Sequence, residues 1–247
     1  MRARVLVFVL IAACASHVAP PPSVGRLERD AFELHRVAQR SGRRADFDRA
    51  IAAYEELRRA HPSSPHAFEI LYFDGEARYA IEDWAGAADC YARALARRPY
   101  DARSVEAAYA YVLAVRRAHG FVEKDPDPAC GAPAAAPILE AYDEYLGLVA
   151  ESPDRPLILF AKAKMLYACG RFADAEPVLA EIVDHAASSR VAAPAAAMLL
   201  DALEQQGKRA ELLARVQSLT ASPLAHDPLL TETLGALRSA QAPAREP

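Results

Sequence analysis

The chain has 247 residues, 53% of them hydrophobic and 25% charged, a normal globular composition with enough apolar material to bury a core. Net charge is −4, and Lys and Arg are interspersed with Asp and Glu. No basic domain or stripe stands out, which argues against a nucleic-acid partner.

The N-terminus differs from the rest. Met1-Arg2-Ala3-Arg4 is positive, and Val5 to Ala13 is uninterruptedly apolar. As a helix rising ~1.5 Å per residue, that run falls far short of the roughly 30 Å hydrocarbon core of a bilayer. It reads as the core of a secretory signal rather than as a stable span. At its end, Ile11-Ala12-Ala13-Cys14 resembles the lipobox of bacterial lipoprotein precursors: an aliphatic residue, two small residues, then Cys. The resemblance implies a signal peptide over 1–13, cleavage before Cys14, acylation of Cys14, and membrane contact through a lipid anchor only. Ala15 stands where Asp is associated with inner-membrane retention, which implies the outer membrane, facing the periplasm. Ala13-Cys14-Ala15 also has the small-x-small form of an ordinary signal cleavage site. That cut would release the same domain into the periplasm.

Residues 14–25 are predicted to be the lipidated Cys and a flexible tether, because "ASHVAPPPSVG" is small, polar and proline-rich. From 26 onward the sequence repeats itself. "ADFDRAIAAYEELRRAHP" (45–62) and "EDWAGAADCYARALARRP" (82–99) share an acid, an aromatic, then Ala, an aromatic four later and an apolar residue three after that. In the first copy these last are Ala50, Tyr54 and Leu57, with Pro62 beyond; in the second, Ala87, Tyr91 and Ala94, with Pro99. A third copy keeps Ala141, Tyr145, Leu148 and Pro153, and a fourth has Phe172, Ala175, Leu179 and Ile182. Residues at i, i+4 and i+7 line one helix face. Another apolar-periodic run precedes each copy, so each unit is predicted to be a helix, a short turn and a second helix, with prolines acting as stops.

The pattern resembles the tetratricopeptide repeat (TPR) family. The unit from about Phe68 to Tyr100 carries the family's small residue at Gly75, then Ala87, Tyr91, Ala94 and Pro99. Arg78 stands where the family usually has Tyr, and Asp74 where it often has Leu. The resemblance implies an all-α, right-handed TPR-like solenoid over 26–241, with about four to five helix pairs and a closing helix at 227–241. Residues 120–136, with Asp125-Pro126-Asp127-Pro128 and Cys130, are predicted to be a loop inserted between the helices of the third unit. The last pair is expected to hinge at Gly207, and 242–247 to form a disordered tail.

Chemical motifs are absent. The histidines form no ligand pair, and there is no phosphate loop and no nucleophile elbow. Neither an enzyme activity nor a metal or other cofactor is expected. With Cys14 lipidated, Cys90, Cys130 and Cys169 remain, an odd number; Cys90 and Cys169 read as buried helical thiols and Cys130 as a lone loop cysteine, so no disulfide framework is expected. By resemblance, the first helices offer Glu69, Tyr72, Glu76 and Tyr79, and then Phe160, Lys164 and Tyr167, to a concave face that binds a protein or peptide segment of another envelope component. The chain is therefore read as an envelope scaffold or adaptor for an envelope, secretion or motility machine. A periplasmic enzyme or ligand-binding protein using the groove, and a cytosolic TPR adaptor, are the alternatives.

Overall fold

The computed structural model of the chain describes residues 23–97, 102–122 and 125–241. The signal segment, Cys14, most of the tether, Pro99 and the tail 242–247 lie outside the described residues. Within them the architecture is all-helical: α1 (Val24–Ser41), α2 (Arg44–Ala60), α3 (Ala67–Ala80), α4 (Trp84–Leu95), α5 (Ala102–Ala118), α6 (Ala135–Leu148), α7 (Arg155–Ala168), α8 (Phe172–His185), α9 (Ala192–Gln205), α10 (Arg209–Thr220) and α11 (Pro228–Gln241). Up to α10, each helix packs against the one before and the one after it. That nearest-neighbour pattern is the signature of a solenoid. The helices form five pairs, α1/α2 to α9/α10, and α11 packs back onto α9. This is the TPR-like solenoid that the repeats predict.

The repeated small-aromatic-apolar spacing forms the core. Ala50, Tyr54, Leu57, Ala87, Tyr91, Ala94, Ala141, Tyr145, Ala175, Leu179 and Ile182 are all buried. The turns within pairs also recur. The N–H groups of Asp83, Phe121, Arg171 and Lys208 each bond the carbonyl five residues back, at Arg78, Arg116, Leu166 and Leu203. This six-to-one bond closes a helix when the residue before the donor adopts a left-handed conformation. Gly120, Gly170 and Gly207 supply it in three turns, and Glu82 takes it with φ 66° in the fourth.

Prolines act as stops only in part. Pro137, Pro156, Pro194 and Pro228 lie in first helical turns, where a missing N–H deprives no intrahelical acceptor. Pro177 corrects the expectation: α8 runs through it. The helix gives up the bond that residue 177 would donate to Ala173, while Ala175, Leu179 and Ile182 hold the segment in the core.

Gly75 shows how closely the two helices of a pair approach. A Cβ there would lie 2.7 Å from Cε1 of Tyr91. Tyr91 is buried and its hydroxyl bonds Glu76, so the ring has nowhere to go. Helix propensity alone favours Gly→Ala by about 1 kcal/mol. Here Gly75→Ala is expected to destabilise instead, by about 1–3 kcal/mol from overpacking, read as a lower melting temperature.

Where the family pattern is broken, a buried ion cluster stands. Asp74 is fully buried and is held by Arg58 of α2 and by Arg78 Nε at 3.0 Å. Arg78 also bonds Glu55 and, at 2.9 Å, Asp83, whose carboxylate accepts the Gly86 N–H at the start of α4. Burial pushes the Asp74 carboxyl up, and the two guanidinium groups pull it back.

Candidate partner-binding groove

The first helices of successive pairs place their polar and aromatic residues together. Between α1 and α3 lies a groove of about 460 Å³, lined by Phe32, His35, Arg36, Gln39, Tyr54, His66, Glu69, Phe73 and Arg103. Phe32, Arg36 and Gln39 share one face of α1, Glu69 and Phe73 one face of α3, and Arg103 enters from the start of α5. Phe32 meets Phe73 edge-on at 5.6 Å, and both lie edge-on to the rings behind them, Phe32 to Tyr54 at 5.9 Å and Phe73 to His35 at 5.5 Å. The mouth is charged. Arg103 pairs with Glu69 at 3.6 Å and Arg36 with Glu33, and His66 Nδ1 lies within hydrogen-bond distance of Glu28, at 3.1 Å.

The residues singled out by resemblance fall into different settings. Glu69 lines this groove. Tyr72 is half-buried, stacked on Phe68 at 6.2 Å, and it hydrogen-bonds Glu106; burial and nearby acids push its phenol up to about 12. Glu76 accepts the Tyr91 hydroxyl, and Tyr79 lies edge-on to Trp84 at 4.7 Å. These three side chains of α3 join neighbouring helices as well as facing outward. On α7, Lys164 is exposed, 5.6 Å above the Phe160 ring and 3.6 Å from Asp127, and Tyr167 packs on Phe172 at 5.1 Å. The α3 and α7 sets line no common cleft: Lys164 belongs to a second pocket, of about 190 Å³, shared with Tyr109, Arg116 and Tyr142.

That second pocket is walled by the inserted loop. Arg116, 7% exposed, bonds Asp127, the Tyr142 hydroxyl at 2.8 Å and the carbonyls of Val122 and Asp125 at 3.2 and 3.0 Å. The loop is thereby folded onto the solenoid beside Lys164. It is also covalently fastened, which corrects the cysteine reading: Cys130 and Cys169 form a disulfide with Cα atoms 5.0 Å apart, and Cys90 alone is a free, buried thiol among the described residues. Cys169 caps α7 rather than lying inside it. That position at the helix end lets its side chain reach the loop.

Sequence reasoning passed over Phe32, His35, Arg36, Gln39, Phe73 and Arg103. The signal for the α1 residues was their spacing, with Phe32, Arg36 and Gln39 at i, i+4 and i+7 on a helix whose other face carries Ala31 and Ala38 into the core. Aromatic walls with a charged mouth suit the binding of an apolar group with polar neighbours. No cluster of three or more His, Cys, Asp or Glu that could hold a metal ion occurs among the described residues.

No family model matches the chain, and no curated protein matches it. Among solved structures it is similar to a variant of a Podosopora anserina protein described as a kinesin light chain with nearly identical TPR-like repeats, at 16% identity over 82% of this chain and 95% of that one, with a TM-score of 0.42. A second structure bearing the same Podosopora anserina description matches at 16% identity over 90% and 99%, with a TM-score of 0.41. A thermophilic TPR protein of Thermus thermophilus matches at 13% identity over 87% and 100%, with a TM-score of 0.36.

Proposed function

We propose that the chain is an exported lipoprotein, acylated at Cys14, whose helical-pair solenoid is a scaffold for another protein of the cell envelope. The first-helix surface, with Glu69 and Arg103 at one groove and Lys164 at a separate pocket, receives a protein or peptide segment, with aromatics as anchors and charges setting register. The Cys130–Cys169 disulfide is the observation that carries the export half of this reading. Structural disulfides persist in oxidising compartments and are rare in the cytosol. The bond therefore fits the periplasmic side of the envelope and suits a cytosolic adaptor poorly. It is independent of the signal-like N-terminus, and both support the same address.

One experiment tests both halves. Palmitate label is expected to enter the wild type and not Cys14→Ser, and crosslinking in native membranes is expected to capture a protein partner. The double variant Arg103→Gln/Lys164→Gln should retain its helicity and melting temperature, since both side chains are exposed. Its capture should fall roughly tenfold, as expected for lost charge complementarity. Equal labelling of Cys14→Ser overturns the anchor, and undiminished capture by the double variant overturns the face.

A further inference from the structure

The groove between α1 and α3 holds three polar atoms that are buried and have no hydrogen-bond partner among the described residues: both imidazole nitrogens of His35 and the hydroxyl of Tyr54. His35 is 4% exposed and Tyr54 0%, and both rings line the groove. Leaving such groups unpaired costs their full desolvation, so native folds rarely do it without a reason. Other buried polar groups of this chain are paired: Asp74 with Arg58 and Arg78, Glu28 with Ser64, and Arg116 with Asp127. The remaining orphan among the described residues, His61 Nε2, belongs to a different cleft.

The wall is neutral. Burial lowers the pKa of His35 and raises that of Tyr54. Near neutral pH it therefore presents a hydroxyl, one ring N–H and one bare ring nitrogen, which together can donate and accept. Phe32 and Phe73 flank it edge-on, an arrangement into which a third planar ring packs with the same geometry. Aromatic walls also suit a cation, but Glu69, the carboxylate that lines the groove, is already paired with Arg103, and Arg36 holds Glu33, so neither carboxylate is left free to meet an ammonium group.

We propose that this groove is a binding site for an uncharged aromatic ligand bearing a hydroxyl group. The ring sits in the groove against Phe32 and Phe73, and the hydroxyl pairs with Tyr54 and a nitrogen of His35. A hydroxyl both donates and accepts at a single atom, so one group satisfies two of the orphans. In the empty protein those atoms are shut off from water, so the ligand enters by parting the two half-buried phenylalanine rings. This site and its test depend neither on the acyl anchor nor on capture of an envelope protein.

The test uses the full chain with 4-ethylphenol and ethylbenzene, which differ only in the hydroxyl. 4-Ethylphenol is expected to shift the His35 ring nitrogen resonances saturably and to bind at least about tenfold more tightly than ethylbenzene, as a site built to bond a hydroxyl discriminates. Equal affinities, or no saturable shift, overturn the proposal. Tyr54→Phe should erase the preference while leaving the melting temperature of the empty protein unchanged or raised, because an orphan hydroxyl contributes no bond. A lowered melting temperature would mean that the hydroxyl is already bonded within the protein, and it would overturn the proposal without touching the anchor or the partner face. N-acetyltyrosinamide distinguishes the source. Tighter binding than 4-ethylphenol assigns the ring to a tyrosine of a polypeptide, and weaker binding assigns it to a free aromatic; either result supports the site.

Discussion

Asp74→Ala is expected to cost about 3–5 kcal/mol, because removing one partner of a buried ion pair strands the other. For a chain of this size that corresponds to a melting temperature lower by about 6–20 °C. The carboxylate has no exposure to solvent, while the Arg58 and Arg78 side chains are 22% and 17% exposed. Without it, the Cys90 thiol at 3.6 Å is the side-chain partner left to Arg58 among the described residues. Arg78 keeps Glu55 and Asp83, so the loss falls mainly on the contact between α2 and α3. The informative companion is Asp74→Leu with Arg78→Tyr, which restores the residue types of the TPR pattern at both positions. Replacing a buried pair by apolar groups of similar volume is often neutral or stabilising. The double variant removes the Arg78 partner but leaves Arg58 stranded, so it should recover only the smaller share of the loss that Asp74→Ala causes, and the larger share should persist. A double-mutant cycle with additive single effects would mean that the two positions are energetically separate, contrary to the geometry.

That pair marks a boundary of what the sequence discloses. The helix pairs were legible because Ala, aromatic and apolar residues recur at helical spacing, and these positions are buried except Leu148, which is only partly covered. The last turn was legible through Gly207, whereas at Glu82 nothing in the residue type announces a left-handed backbone. Asp74 and Arg78 were visible only as departures. Their compensation depends on Arg58, which comes from the preceding helix and is brought near by packing between pairs. Helical periodicity describes one element at a time and carries no record of which charged residue a neighbouring helix will present.

The groove was legible to a smaller degree. Of the residues that the resemblance singled out, Glu69 lines the groove and Lys164 a separate pocket, while Tyr72, Glu76 and Tyr79 also spend contacts on helix packing. The aromatic wall was missed because it is assembled from α1, α2 and α3. His35 in the sequence is one of seven scattered histidines. Only the fold places it beside Tyr54 and Phe73 with no partner. Unsatisfied polarity is a property of surroundings, so no motif records it.

Cys130→Ser is expected to destabilise the chain by about 2–4 kcal/mol, the usual range for a native disulfide. The bridged residues are 39 apart in sequence. Closing a loop of that size removes roughly 4 kcal/mol of freedom from the denatured chain in the entropic account. The polar contacts set the lower figure: Arg116 grips Asp127 and the carbonyls of Val122 and Asp125, so the loop stays partly docked after the bond is lost. Counting cysteines by parity missed this bond, because parity constrains how many can pair and not which; Cys90, buried beside Asp74, is the one left over. A thermal melt with and without reductant checks the assignment. Reductant should lower the wild-type melting temperature to that of Cys130→Ser and leave the variant unmoved. Cys169→Ser should match Cys130→Ser, whereas Cys90→Ala should keep the full response to reductant. A wild type indifferent to reductant would remove the bond. With it would go the strongest structural reason for placing this solenoid in an oxidising compartment.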